Sequence, residues 1–147
     1  MLPGMYEHAD WAALTAAYFD HQDMRELFDG LRSDDANEVG LAWEELAPSV
    51  MESGEVFEST AAAIPLLLGL VRTARHERAE TLRIVGQCAD PNRAYGDRLP
   101  MVQAALAAHA DLVRAFVNDD DPEVREAAQY TLNQCGHAGP HHPQTPV

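Results

Sequence analysis

Apolar positions recur at helical spacing along most of this chain, and no segment shows the strict alternation of a half-buried strand. Trp11, Leu14 and Tyr18 stand at i, i+3 and i+7, which predicts a first helix over 10–19 capped by Asp10. A short helix over 22–31 follows, with Met24, Leu27, Phe28 and Leu31 inward. Ser33 is expected to cap the next helix, which buries Val39, Ala42, Trp43 and Leu46 and stops before Pro48. Residues 48–58 then read as a connection.

The run over 59–72 is apolar almost all round, the signature of a helix covered on several sides. Pro65 is expected to kink it or to mark its true start. Its partner over 75–89 places Ala79, Leu82, Val85 and Cys88 inward, and 90–97 form the one substantial loop. A long helix over 98–117 carries Leu99, Val102, Leu106, His109, Leu112, Val113 and Phe116 on one stripe. The last helix, over 122–135, buries Val124, Ala128, Thr131 and Leu132, with Gly136 as a left-handed cap. The tail over 137–147 is rich in proline and histidine and is expected to be disordered.

One ten-residue frame occurs three times, at 31–40, 71–80 and 117–126, and it marks the corner between paired helices. At the last corner three aspartates end one helix, and Asp121 is expected to cap the next, with Pro122 as its first residue. Offsets of 40 and 46 residues match a stacked helical-hairpin repeat. The expected fold is all-α: a right-handed α-solenoid of about three hairpins plus an N-terminal helix, one domain over 1–136.

The repeat length and the corner Asp121-Pro122-Glu123-Val124-Arg125 resemble HEAT repeats. The segments Trp11-x-x-Leu14-x-x-Ala17-Tyr18 and Gly54-x-Val56-Phe57-x-x-Thr60-Ala61-Ala62-Ala63-Ile64-Pro65-Leu66-Leu67 narrow this, being similar to a group of actinobacterial HEAT-repeat proteins. Members often read His-Gln-Gly-x-Val-Tyr-x-Ala-Thr at the second segment. Here Glu52-Ser53 replace the His-Gln pair and Ser59 the alanine. The resemblance spans about residues 10–135 and implies a HEAT-like fold with a general binding role.

Charge sharpens that expectation. The net charge of −14 is concentrated in residues 1–60, where fourteen acids face only Arg25 and Arg32. Such a field repels nucleic-acid phosphate and speeds encounter with basic proteins. The arginines Arg72, Arg75, Arg78, Arg83, Arg93 and Arg98 are read as partners for acidic neighbouring repeats. No stretch approaches the about eighteen apolar residues of a membrane span, and the N-terminal residues lack the pattern of a secretory signal, so a cytoplasmic location is expected. Cys88 and Cys135 are expected as free, mostly buried thiols.

The sequence offers little catalytic chemistry. It contains no nucleophile elbow, P-loop, dinucleotide fingerprint or zinc motif. His137, His141 and His142 lie in the tail, His109 reads as a satisfied core histidine, and Glu44-Glu45 and Asp119-Asp120-Asp121 as solvated or capping groups. No catalytic, metal or cofactor site is expected. The second helix of each pair is expected to line a concave face, bearing Glu38, Leu41 and Glu45 on the first pair and Glu126, Tyr130 and Asn133 on the last. The middle helix would add Arg78, Thr81 or Arg83. The expected function is a non-enzymatic adaptor for a basic protein, one specific form being an immunity protein that masks a cationic toxin. The competing expectation is a HEAT-fold enzyme of the DNA-glycosylase or bilin-lyase type.

Overall fold

The structure, a computed structural model, describes residues 24–50, 54–73 and 76–137. Within them lie α1 (Met24–Leu31), α2 (Ala36–Val50), α3 (Glu58–Thr73), α4 (Arg78–Ala89), α5 (Leu99–Ala108), α6 (Ala110–Arg114) and α7 (Pro122–Asn133), followed by a 3-10 turn at Gln134–His137. Among the described residues the extended pairing is an isolated parallel bridge between Glu55 and Tyr95, and the architecture they form is all-α. The helix expected over 10–19 and the tail from 138 onward lie outside the described residues.

The core is centred on α3. Ile64, Leu67, Leu68, Leu70 and Val71 are all buried there, and the helix packs on α4, α5, α2 and α6. Pro65 sits inside α3 and does not mark its start. The hydrogen bond it cannot donate is offset by burial of Ile64, Leu66 and Leu67 on either side. Pro48 likewise fails to end α2, which runs on to Val50. Its missing N–H falls in the final turn, where a single bond is lost. Phe28, Leu31, Val39, Ala42 and Trp43 are buried as expected, while the side chains of Met24, Leu27 and Leu46 lie outside the described ones.

The three corners are tied to one another in order. His76 Nε2 lies 2.8 Å from the Asp34 carbonyl, joining the second corner to the first. Arg78 Nη2 donates to Asp119 Oδ1 at 2.8 Å, joining the second to the third. The Arg78 guanidinium also covers the Phe116 ring at 5.5 Å, and its Nε donates to the Val71 carbonyl. The hydrogen bond from Arg78 and the Asp121 N–H hold the Asp119 carboxyl below its ordinary range. Arg78 is therefore a corner residue.

Caps explain where the helices start. Asp121 Oδ1 accepts the Glu123 N–H at 2.9 Å, and Pro122 opens α7, as the sequence predicts. At the first corner the cap is Asp35, whose Oδ1 accepts the Asn37 N–H at 2.8 Å, and not Ser33. Ser33 stands a step earlier: its Oγ accepts the Asp35 N–H and donates to Glu38. α4 begins at Arg78, three residues later than expected, because Glu77 takes a left-handed conformation at φ 60°.

Two further expectations are corrected. The long helix over 98–117 is broken at His109 into α5 and α6. The His109 ring Nδ1 occupies the Ala105 carbonyl at 2.9 Å, and the His109 N–H turns to Leu106 O, one residue short of the α-helical partner. Gly136 lies in the 3-10 turn and is not a left-handed cap. Cys88 and Cys135 are free thiols, buried and half-buried, and burial pushes the Cys88 thiol up to about 12.

Candidate functional site

Two surfaces gather the polar side chains that the core leaves over. The first is the outward stripe of α2. Val39, Ala42 and Trp43 turn inward, so Glu38, Leu41 and Glu45, spaced i, i+3 and i+7, share the opposite side. Leu41 is 62% exposed, the most exposed large hydrophobic side chain among the described residues. Glu38, Glu44, Glu45, Asp34 and Asp35 are all exposed around it. The bond from Ser33 anchors the Glu38 carboxylate at one end of the stripe.

The second surface is an open cleft of about 280 Å³ between α4 and α7, lined by Arg83, Gln87, Arg93, Glu126, Ala127 and Tyr130. Its floor depends on Gly86. A Cβ there would stand 2.8 Å from Tyr130 Cε2 and 2.7 Å from Thr131 Oγ1, so only glycine lets α4 and α7 approach this closely. Thr131 Oγ1 donates to the Leu82 carbonyl at 2.6 Å across the same contact. Tyr130 can then reach Asp90, donating to its Oδ2 at 2.7 Å. Burial, and after it the bond to Asp90, pushes the Tyr130 phenol well above its ordinary value.

Asp90 is a buried carboxylate with its polar atoms engaged. Oδ1 accepts the Asn92 N–H at 2.9 Å, and the main-chain carbonyl accepts Arg93 N and Ala94 N. This turn places Arg93 at the cleft. The loop is held from the other side, where Tyr95 N donates to Gly54 O and Val56 N to Tyr95 O. Gly54 has φ 93°, and a Cβ there would meet the Arg93 carbonyl at 2.9 Å. Arg83 is paired with Glu80 at 2.6 Å, whereas Arg93 is exposed and without an ion pair among the described residues.

The cleft thus brings Glu126 and Tyr130 together with Arg83. Glu38, Leu41 and Glu45 stand apart on α2. Asn133 is exposed further along α7, where it accepts from Gln129 Nε2 at 3.1 Å. Thr81 is buried, donating to the Glu77 carbonyl. Gln87, Arg93 and the supporting Asp90 escape sequence reasoning. The available signal was Asp90-Pro91, a turn pair after an apolar helix. Among the described residues no three His, Cys, Asp or Glu side chains converge as a metal set, and no helix is long and apolar enough to cross a membrane. No family model matches the chain, and no curated protein or solved structure matches it.

Proposed function

We propose that the protein is a non-enzymatic adaptor, a HEAT-like α-solenoid that docks a basic protein partner on the acidic face of α2. The solenoid part of this reading is supported by the packing of like on like: α3 packs on α5, α4 packs on α7, and the corners are linked in order. The observation that carries the binding role is Leu41, exposed on α2 with the exposed Glu38, Glu44 and Glu45 at i−3, i+3 and i+4. A large aliphatic side chain left in water forgoes about 1.5–3 kcal/mol that a partner's surface would recover. The surrounding charges attract a cationic partner, fix its orientation and disfavour acidic competitors. The first sixty residues carry a net charge of −12, which favours a protein partner over nucleic acid. A cytoplasmic immunity protein covering a cationic toxin domain is the narrower form of the proposal.

Leu41 separates specific docking from simple charge attraction, because Leu41→Ser leaves the charge unchanged. Immobilised wild-type protein is expected to retain a basic partner from its own cell extract at physiological salt, and the Leu41→Ser protein to lose at least about tenfold in affinity for it. Equal affinity of the two proteins for that partner would remove Leu41 from the interface and refute the proposed role of α2.

A further inference from the structure

The cleft between α4 and α7 carries a different chemistry from the α2 face, with guanidinium groups in its lining. In a chain of net charge −14, its lining holds Arg83 and Arg93 against the single carboxylate of Glu126. Glu80, paired with Arg83 at 2.6 Å, balances that cation from beside the cleft. Arg93 has no ion pair among the described residues, and Arg83 uses one nitrogen on Glu80 and keeps further donors free. Gln87 adds an amide, while Ala127 and the Tyr130 ring give an apolar wall. The Tyr130 hydroxyl donates to Asp90, so the phenol contributes its ring and not its proton.

We propose that this cleft binds a free α-carboxylate, with Arg83 and Arg93 as its cationic clamp and the side chain beside it packed on Tyr130 and Ala127. Guanidinium groups match a carboxylate through paired N–H bonds, and their charge is permanent at any physiological pH. A monoanion fits better than a phosphate dianion, because Arg93 is the lining cation without an ion pair among the described residues and a second negative charge on the ligand would go unmatched. A volume of about 280 Å³ accommodates one or two residues of a peptide end, or a free amino acid, and little more. The loop that supplies Arg93 is held by Asp90 and by the strap at Gly54, so the main chain that carries this side chain is fixed before binding. This inference concerns a different surface from α2 and does not depend on the docking proposed there.

Calorimetric titration of the full chain with acetyl-Ala-Leu bearing a free C-terminal carboxylate, its C-terminal amide, free L-leucine and inorganic phosphate tests the proposal. The free acid, whether as peptide or amino acid, is expected to bind at least about tenfold more tightly than the amide and than phosphate. Preference for the peptide acid identifies a chain terminus as the source, and preference for L-leucine a free amino acid. In the Arg93→Gln protein that preference is expected to fall about tenfold, with the thermal midpoint unchanged because Arg93 is exposed. Equal binding of acid and amide overturns the proposal, as do tighter binding of phosphate, an unaltered preference in Arg93→Gln, or no binding of either acid at about 10 mM.

Discussion

Leu67→Ala is expected to cost about 2–5 kcal/mol, the range for deleting an aliphatic side chain that its surroundings cannot collapse around. Leu67 has 0% exposure and lies on α3, the helix that contacts elements on several sides. Ile64, Leu68, Leu70 and Val71 are buried with it, so the space left by truncation is walled by side chains already fixed in place. Leu41→Ala provides the internal comparison. Its side chain is exposed, and the change is expected to stay within about 0.5 kcal/mol. Urea unfolding of both proteins, followed by circular dichroism, measures the difference. A loss below about 1 kcal/mol for Leu67→Ala would place the core elsewhere than α3.

Gly86→Ala is expected to destabilise by about 1–3 kcal/mol, against the usual gain when alanine replaces a glycine inside a helix. The new methyl group would meet Thr131 Oγ1 at 2.7 Å and Tyr130 Cε2 at 2.8 Å. Neither neighbour can yield freely. The Thr131 hydroxyl is bonded to the buried Leu82 carbonyl, and Tyr130 is held by Asp90. Relief would come from separating α4 and α7, which opens the cleft and breaks one of those bonds. Gly40 on α2 gives the opposite case, since a Cβ there meets nothing within 4 Å. Gly40→Ala is expected to gain about 0.5–1 kcal/mol from helix propensity alone. Equal shifts in unfolding midpoint for the two variants would show that the contact between α4 and α7 is looser than described.

What was legible in the sequence followed from strong local signals. The uninterrupted apolar run around Leu67 identified the central helix, and Asp121-Pro122 located the start of α7. The errors arose where a distant or side-chain bond overrode local preference. Pro48 is a helix breaker by rule, yet α2 runs past it to Val50, whereas Pro65 sits inside α3 as one of its two readings has it. Nothing in the helical pattern across Leu106, His109 and Val113 forecasts a break, because it arises when one imidazole takes the Ala105 carbonyl. Half of the cleft was visible for a similar reason. Glu126, Tyr130 and Arg83 lie on helical faces that periodicity can orient. Arg93 reaches the site through a loop whose path depends on Asp90, Gly54 and Tyr95, residues far apart in the chain.

If the carboxylates of α2 form the proposed docking face, the captured basic partner will discriminate wild-type protein from a doubly reversed one. Glu38→Arg with Glu45→Arg reverses the charge at both ends of the stripe and leaves Leu41 in place. Both side chains are exposed, so the helical signal is expected to survive, although Glu38 gives up its bond to Ser33. At physiological salt the dissociation constant is expected to rise by at least about tenfold, with much of the change in the association rate. A dissociation constant unchanged within about twofold, in a protein that remains folded, would contradict the claim and leave the acidic face as solvated surface.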